Sequence, residues 1–118
     1  MPTAAELLEK KSRHQETALT DAEIADHLAA LDGWALQEGK IVKTFGFRNY
    51  YETLAFVNAI AYVIHAEDHH PELVVTYNRC VVKFITHSVN AGRGGISEND
   101  FICAAKANAI FKLSSLDG

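Results

Sequence analysis

Four of the six histidines of this 118-residue chain lie between His65 and His87, mixed with Glu67, Asp68 and Glu72. Imidazole changes charge near neutral pH, so this concentration points to proton transfer. His65 and His69 are four apart and share a helix face. His69 and His70 fall at that helix's carboxyl end, where the dipole and the carboxylates favour the protonated form that a general acid needs. Along Cys80–His87, alternation puts Cys80, Val82, Phe84 and Thr86 on the core face, and Val81, Lys83, Ile85 and His87 on the other. With His87 ending the final strand, a folded hairpin brings it toward His69 and His70, three imidazoles around one pocket. His65, Glu67, Asp68 and His69 include zinc- and iron-binding types, but their spacing is neither HExxH nor another regular ligand motif, and no metal is expected. A histidine at a helix end more often caps it. Glu67 and Asp68 read equally as solvated charges, Asp100 as a capping carboxylate and Arg79 as a turn residue.

The elements that position these residues follow from periodicity and capping. Thr3-Ala4-Ala5-Glu6 has capping-box spacing ahead of Leu7 and Leu8. Residues 1–19, polar and alanine-rich, are expected to be a loosely ordered extension or short helix with few apolar anchors, removable at little cost. The single domain is expected over 20–118. A second capping box, Thr20-Asp21-Ala22-Glu23, opens a helix carrying Ile24, Leu28 and Leu31 until Gly33 stops it. From Trp34 the period becomes two: Trp34 and Leu36 lead into Glu38-Gly39, and Ile41, Lys43, Phe45 and Phe47 share a strand face. Asn49 with Glu52 opens a long helix, with Leu54, Val57, Ala61 and Ile64 on one face and Phe56, Ile60 and Val63 widening it. Pro71 forces that helix to end near His69. Leu73–Tyr77 and Arg79–His87 form a second hairpin about Asn78, expected in the left-handed conformation of a tight turn. Ser97 and Asp100 cap a last helix whose Ile102, Ala105, Ala109 and Leu113 face inward.

The predicted fold is α+β, in the order α-β-β-α-β-β-α, with the helices packed on one face of a four-stranded antiparallel sheet. The last strand is expected at an edge, where Val81 and Ile85 leave apolar surface for a second copy. A charged fraction of 22% and a hydrophobic fraction of 48% suit an ordinary globular domain. No window approaches the roughly 20 apolar residues of a membrane span, and early charges argue against a secretory signal, so a cytoplasmic location is expected. A net charge of −4 with scattered basic residues disfavours direct nucleic-acid binding. Cys80 and Cys103 lie in apolar runs and are expected as buried free thiols.

Asp68-His69-His70-Pro71-Glu72, then Tyr77-Asn78, Thr86-His87, and Gly95-Ile96-Ser97 with Asp100 resemble, in order and mostly in spacing, the signature of the pterin-4a-carbinolamine dehydratases. Upstream, Phe45-Gly46-Phe47 with Tyr51, Ala55, Phe56 and Val57 resembles that family's second strand and long helix. The resemblance implies dehydration of a 4a-hydroxytetrahydropterin, left by aromatic amino acid hydroxylases, to the quinonoid dihydropterin without metal or other cofactor. It implies His69, His70 and His87 as catalytic residues, with Asp68, Glu72 and Asp100 orienting the imidazoles or holding the pterin. It also implies a homodimer or homotetramer. Its alternative is a non-catalytic pterin-binding protein or a dimerisation cofactor of a homeodomain transcription factor. Three features depart from the pattern: His65 where many members have glutamate, Leu73 where many have an aromatic, and a longer Ser88–Gly94 loop. That loop is expected to be flexible and to border the pocket.

Overall fold

The computed structural model describes residues 2–114. Its elements are α1 (Ala4–Glu9), α2 (Asp21–Ala30), β1 (Ala35–Gln37), β2 (Lys40–Gly46), α3 (Tyr50–Glu67), β3 (Glu72–Val75), β4 (Arg79–Phe84) and α4 (Glu98–Ser114). The four strands form one antiparallel sheet in the order β1-β2-β4-β3. The helices cover one face, giving the expected α+β architecture with α1 added before the domain's first expected helix. None of the described helices is long and apolar enough to cross a membrane.

The β1–β2 turn uses Glu38 and Gly39, both at positive φ (52° and 80°), the conformation that suits a two-residue hairpin between twisted strands. Below it, Ile41 and Phe45 of β2 meet Cys80, Val82 and Phe84 of β4 in the core, against Phe56 and Ile60 of α3 and Phe101 and Ile102 of α4. Phe45 contacts Phe56 and Phe111 at ring-centroid distances of 4.6 and 5.1 Å. Trp34 spans Phe45 and Phe84 and donates from Nε1 to Asn108 Oδ1 at 3.0 Å. Both capping boxes form, at Thr3 and at Thr20. Asn49 caps α3 by accepting from the Glu52 amide. Cys80 and Cys103 are buried free thiols, and burial with the nearby Glu67 and Asp100 charges pushes the Cys103 thiol up to about 12.

Several expectations are corrected. Strand β4 is internal, so the edges are β1 and β3. No positive φ occurs at Asn78; the turn closes by the Thr76 amide donating to Arg79 O at 2.9 Å. The buried stripe of α3 runs through Thr53, Phe56, Ile60 and Glu67, which turns Leu54 and Ala61 outward. Leu113 is exposed because α4 buries Phe101 to Ala105 at its start and only partly Ile110 and Phe111 near its end.

Residues 1–19 include the expected short helix, α1, and are tied to the domain at several points. Leu7 is 0% exposed and belongs to the core, so the helix form of this segment has a full apolar anchor, with α1 packed on α4. Beyond it, the Ser12 amide donates to Glu67 Oε1 at 2.7 Å and the Ser12 hydroxyl to Glu67 O. The Arg13 amide donates to Asn99 Oδ1 at 3.1 Å. Glu67 is therefore a buried carboxylate rather than a solvated one. Burial works to raise its pKa, but the Ser12 amide and the Lys106 and Lys11 ammonium groups, 3.4 and 3.9 Å away, outweigh burial and hold it below the ordinary value.

Leu7→Ala is expected to cost about 2–5 kcal/mol, the range for emptying a filled leucine site. An unchanged urea midpoint would show that α1 lies outside the cooperative unit. A folded-state pKa below the unfolded value makes Glu67 a source of stability above about pH 4.5 that is lost as pH falls through the folded value. The acid arm of a stability–pH curve should therefore be shallower in Glu67→Gln than in the parent chain; parallel arms would refute this assignment.

Candidate active site

Helix α3 ends on Asp68, which is left-handed at φ 49° and ψ 47°, with its amide turned back to Ile64 O and His65 O. Aspartate tolerates this conformation better than most side chains do. The reversal, followed by Pro71, sends consecutive histidines to different environments. The His69 side chain is only 12% exposed, and its ring lies parallel to Phe84 with centroids 5.7 Å apart. His70 is exposed, with Nε2 3.5 Å from Asp68 Oδ1. Such an exposed pair contributes at most about 1 kcal/mol.

His69 Nε2 lies 2.5 Å from Oδ1 of Asp100, whose side chain is fully buried. Oδ2 of Asp100 accepts from the Thr86 hydroxyl at 2.9 Å and from the Ser97 amide at 2.9 Å. The Thr86 and Ser97 hydroxyl oxygens are 2.7 Å apart, and the Asn99 amide donates to Ser97 Oγ at 3.2 Å. Each hydroxyl has one proton to give, so the donors run in one direction: Asn99 N–H to Ser97, Ser97 to Thr86, Thr86 to Asp100. The carboxylate collects three donors, which fixes His69 as the Nε2–H form toward Asp100. Its Nδ1 has no hydrogen-bond partner among the described residues.

The other side of the sheet carries a cavity of about 240 Å³ lined by Lys40, His70, Pro71, Glu72, Lys83, Ile85 and His87. Strand pairing builds it: Glu72 of β3 is opposite Lys83 of β4, and Val42 of β2 flanks Lys83 from the other side. Lys40 and Glu72, on the strands flanking β4, meet at 3.2 Å across it. His87 does not end a strand as expected. Strand β4 stops at Phe84, and Thr86 makes a separate two-bond bridge to Gly95, at 2.9 and 3.0 Å.

That bridge closes the Ser88–Gly94 loop, which is not the loose insertion expected. Val89 is 0% exposed, the Gly92 and Gly94 amides donate to Val89 O, and the Arg93 amide donates to Asn90 O. Asn90 is tied to the N-terminal segment, its amide donating to Glu16 O and its Oδ1 accepting from the Ala18 amide. A Cβ on Gly95 would lie 2.8 Å from Ala18 Cβ, so glycine permits this close approach.

Of the expected site residues, His70, Glu72 and His87 share the cavity. His69 and Asp100 form a pair on the core side, and Asp68 lies beside His70 outside the cavity wall. Asp100 is wholly committed to protein donors and positions His69. His65 is exposed on α3, and the described residues contain no three-residue His, Cys, Asp or Glu group arranged to hold a metal. Sequence reasoning missed Lys40, Lys83 and Ile85 as cavity residues and Thr86 and Ser97 as supports. Alternation along β4 already put Lys83 and Ile85 on the face of His87, whereas Lys40 depends on the β2–β4 pairing.

Residues 17–110 match the family model described as pterin 4 alpha carbinolamine dehydratase. The chain is 64% identical over 110 residues to a Bdellovibrio bacteriovorus relative, covering 93% of this chain and 92% of the relative. It is 45% identical over 116 residues to one from Nitrosomonas europaea, covering 95% and 99%. Both bear the family's name as a provisional assignment. The chain belongs to the pterin-4a-carbinolamine dehydratase family. A crystal structure of a transcriptional coactivator/pterin dehydratase from Brucella melitensis has the same fold, with a TM-score of 0.73 and 36% identity, covering 80% of this chain and 98% of that one. Family membership makes the protein a hydro-lyase and gives the clustered imidazoles a reaction class.

Thr86→Val should leave both Ser97 Oγ and Asp100 Oδ2 short of a partner, at a cost of about 1–3 kcal/mol. It should also shift the ring-nitrogen resonances of His69, while Thr86→Ser should restore both. A valine variant with unaltered stability and resonances would show that the hydroxyl does not position the histidine.

Proposed function

We propose that the chain dehydrates a 4a-hydroxytetrahydropterin to the quinonoid dihydropterin at the cavity shared by His70 and His87. The observation that carries this reading is the convergence of these two imidazoles on one open cavity in a chain of this family. In the reaction the C4a–O bond breaks, the departing hydroxyl takes a proton and leaves as water, and a pterin ring nitrogen loses a proton. One imidazole acts as acid and another as base, so the site's proton count is restored each turn. His69 supports the same machinery from the core side: Asp100 holds its ring, and this fixes the backbone from which His70 turns to the cavity. Asp68, beside His70, supplies acceptors suited to the N–H groups of an aminopyrimidine edge, while Glu72 holds Lys40 across the cavity.

The substrate comes from an aromatic amino acid hydroxylase in the cytoplasm, and the working form is a homodimer or homotetramer. Exposed Tyr51, Leu54 and Tyr62 on α3 supply apolar surface for assembly.

Replacing His70 or His87 by alanine is expected to lower turnover by roughly 10²–10⁴ without unfolding the chain. His69→Ala should lower both activity and stability, since it strips a partner from a buried carboxylate. His65→Ala, remote from the cavity wall, is the control and should stay near the parent rate in an assay with enzymatically generated carbinolamine. Near-parent rates for all four folded variants would remove the dehydratase reading.

A further inference from the structure

We propose that the cavity is built for a pterin whose side chain carries an anionic group, and that Lys83 is the residue that selects it. This rests on the cavity being the pterin site and goes further, to the class of pterin it takes.

Lys83 is half-buried on β4 and has no hydrogen bond or ion pair among the described residues. The nearest acidic residue in strand register is Glu72, directly opposite. Glu72 is engaged elsewhere, its Oε1 lying 3.2 Å from Lys40 Nζ. The cavity wall thus holds two ammonium groups against one carboxylate, with two imidazoles beside them. A chain whose net charge is −4 therefore lines this one cavity with cationic excess.

The order of the wall gives the excess a direction. Residues two apart on extended chain are about 7 Å apart, so Lys83 of β4, then Ile85 and His87 in the segment that follows it, succeed one another along the cavity wall. The imidazoles mark one end, Ile85 and Pro71 offer apolar contact for a flat ring in the middle, and Lys83 marks the far end beside the Lys40–Glu72 pair. In the proposed pose a bicyclic ring exchanges protons with His70 and His87 at one end of the wall and turns its substituent toward Lys83 at the other. A carboxylate or phosphate there would give Lys83 the partner the protein does not supply, in a cavity where a charge-assisted bond is stronger than in open water.

The test is fluorescence titration of the full-length protein at low ionic strength with three pterins alike in ring and differing in side chain: 6-hydroxymethylpterin, its phosphate ester and pterin-6-carboxylate. At least one anionic pterin should bind about tenfold more tightly than the neutral one, and the preferred one identifies the anion as phosphate or carboxylate. The ratio should fall to within about twofold in Lys83→Met, persist in Lys83→Arg and shrink as salt is added. Equal affinities in the parent chain, or a ratio unchanged in Lys83→Met, would overturn the proposal while leaving the cavity as a pterin site. Binding of none of the three would overturn the pterin-site reading and this proposal with it.

Discussion

A carboxylate with no access to water must be surrounded by donors, and Asp100 meets that requirement by drawing three parts of the chain together. Its partners come from the end of α3 (His69), the segment after β4 (Thr86) and the entry to α4 (Ser97). Leaving any of them out strips a hydrogen bond from a buried charge, at a cost of about 1–3 kcal/mol. The place of Asp100 in the first turn of α4 adds the favourable helix dipole. The same demand that stabilises the junction therefore dictates where His69 lies and which of its nitrogens is free.

The junction explains how two consecutive pairs divide their labour. In His69-His70 and in Thr86-His87, one residue turns toward the core and joins the Asp100 network, and its neighbour turns to the open face. The inward residue is held by short hydrogen bonds and fixes the backbone. The outward one is exposed and free to meet a ligand. The arrangement needs the αL turn at Asp68 and the isolated Thr86–Gly95 bridge, since a continuing helix or strand would carry His70 and His87 elsewhere.

Elements fixed by local chemistry were readable in the sequence. The Glu38-Gly39 hairpin, both Thr capping boxes, the Asn49 cap and the α+β order all depend on residues within a few positions of one another. The approach of His70 to His87 was also legible, because hairpin geometry couples a helix end to the following strand, but His69, expected in the same pocket, turns to Asp100 on the core side. Properties set at long range were not. Leu7 is one leucine in a polar segment, and its burial depends on a site formed by α4. The interior place of β4 follows from its pairing with β2, which no turn signal encodes. Glu67 gave no sign of burial, because its donors come from Ser12 and Lys106, far away in sequence. Asp100 reads as a cap from its spacing to Ser97, and it is one; its second function needs His69, 31 residues away.

The N-terminal segment and the Ser88–Gly94 loop become one structure for the same reason. The loop places Asn90 and Ala91 at positive φ, an unfavourable choice for alanine, together with Gly92 and Gly94. A loop so constrained requires external ties, and the segment before α2 provides them: Glu16 and Ala18 bind Asn90, the Leu19 amide donates to Ile96 O at 2.8 Å, and Ala18 packs where Gly95 leaves room. Residues that looked dispensable thus hold both ends of the loop that leads out of His87. The position of an exposed histidine is set by a strap on the opposite side of its backbone, anchored in turn by Leu7 in the core.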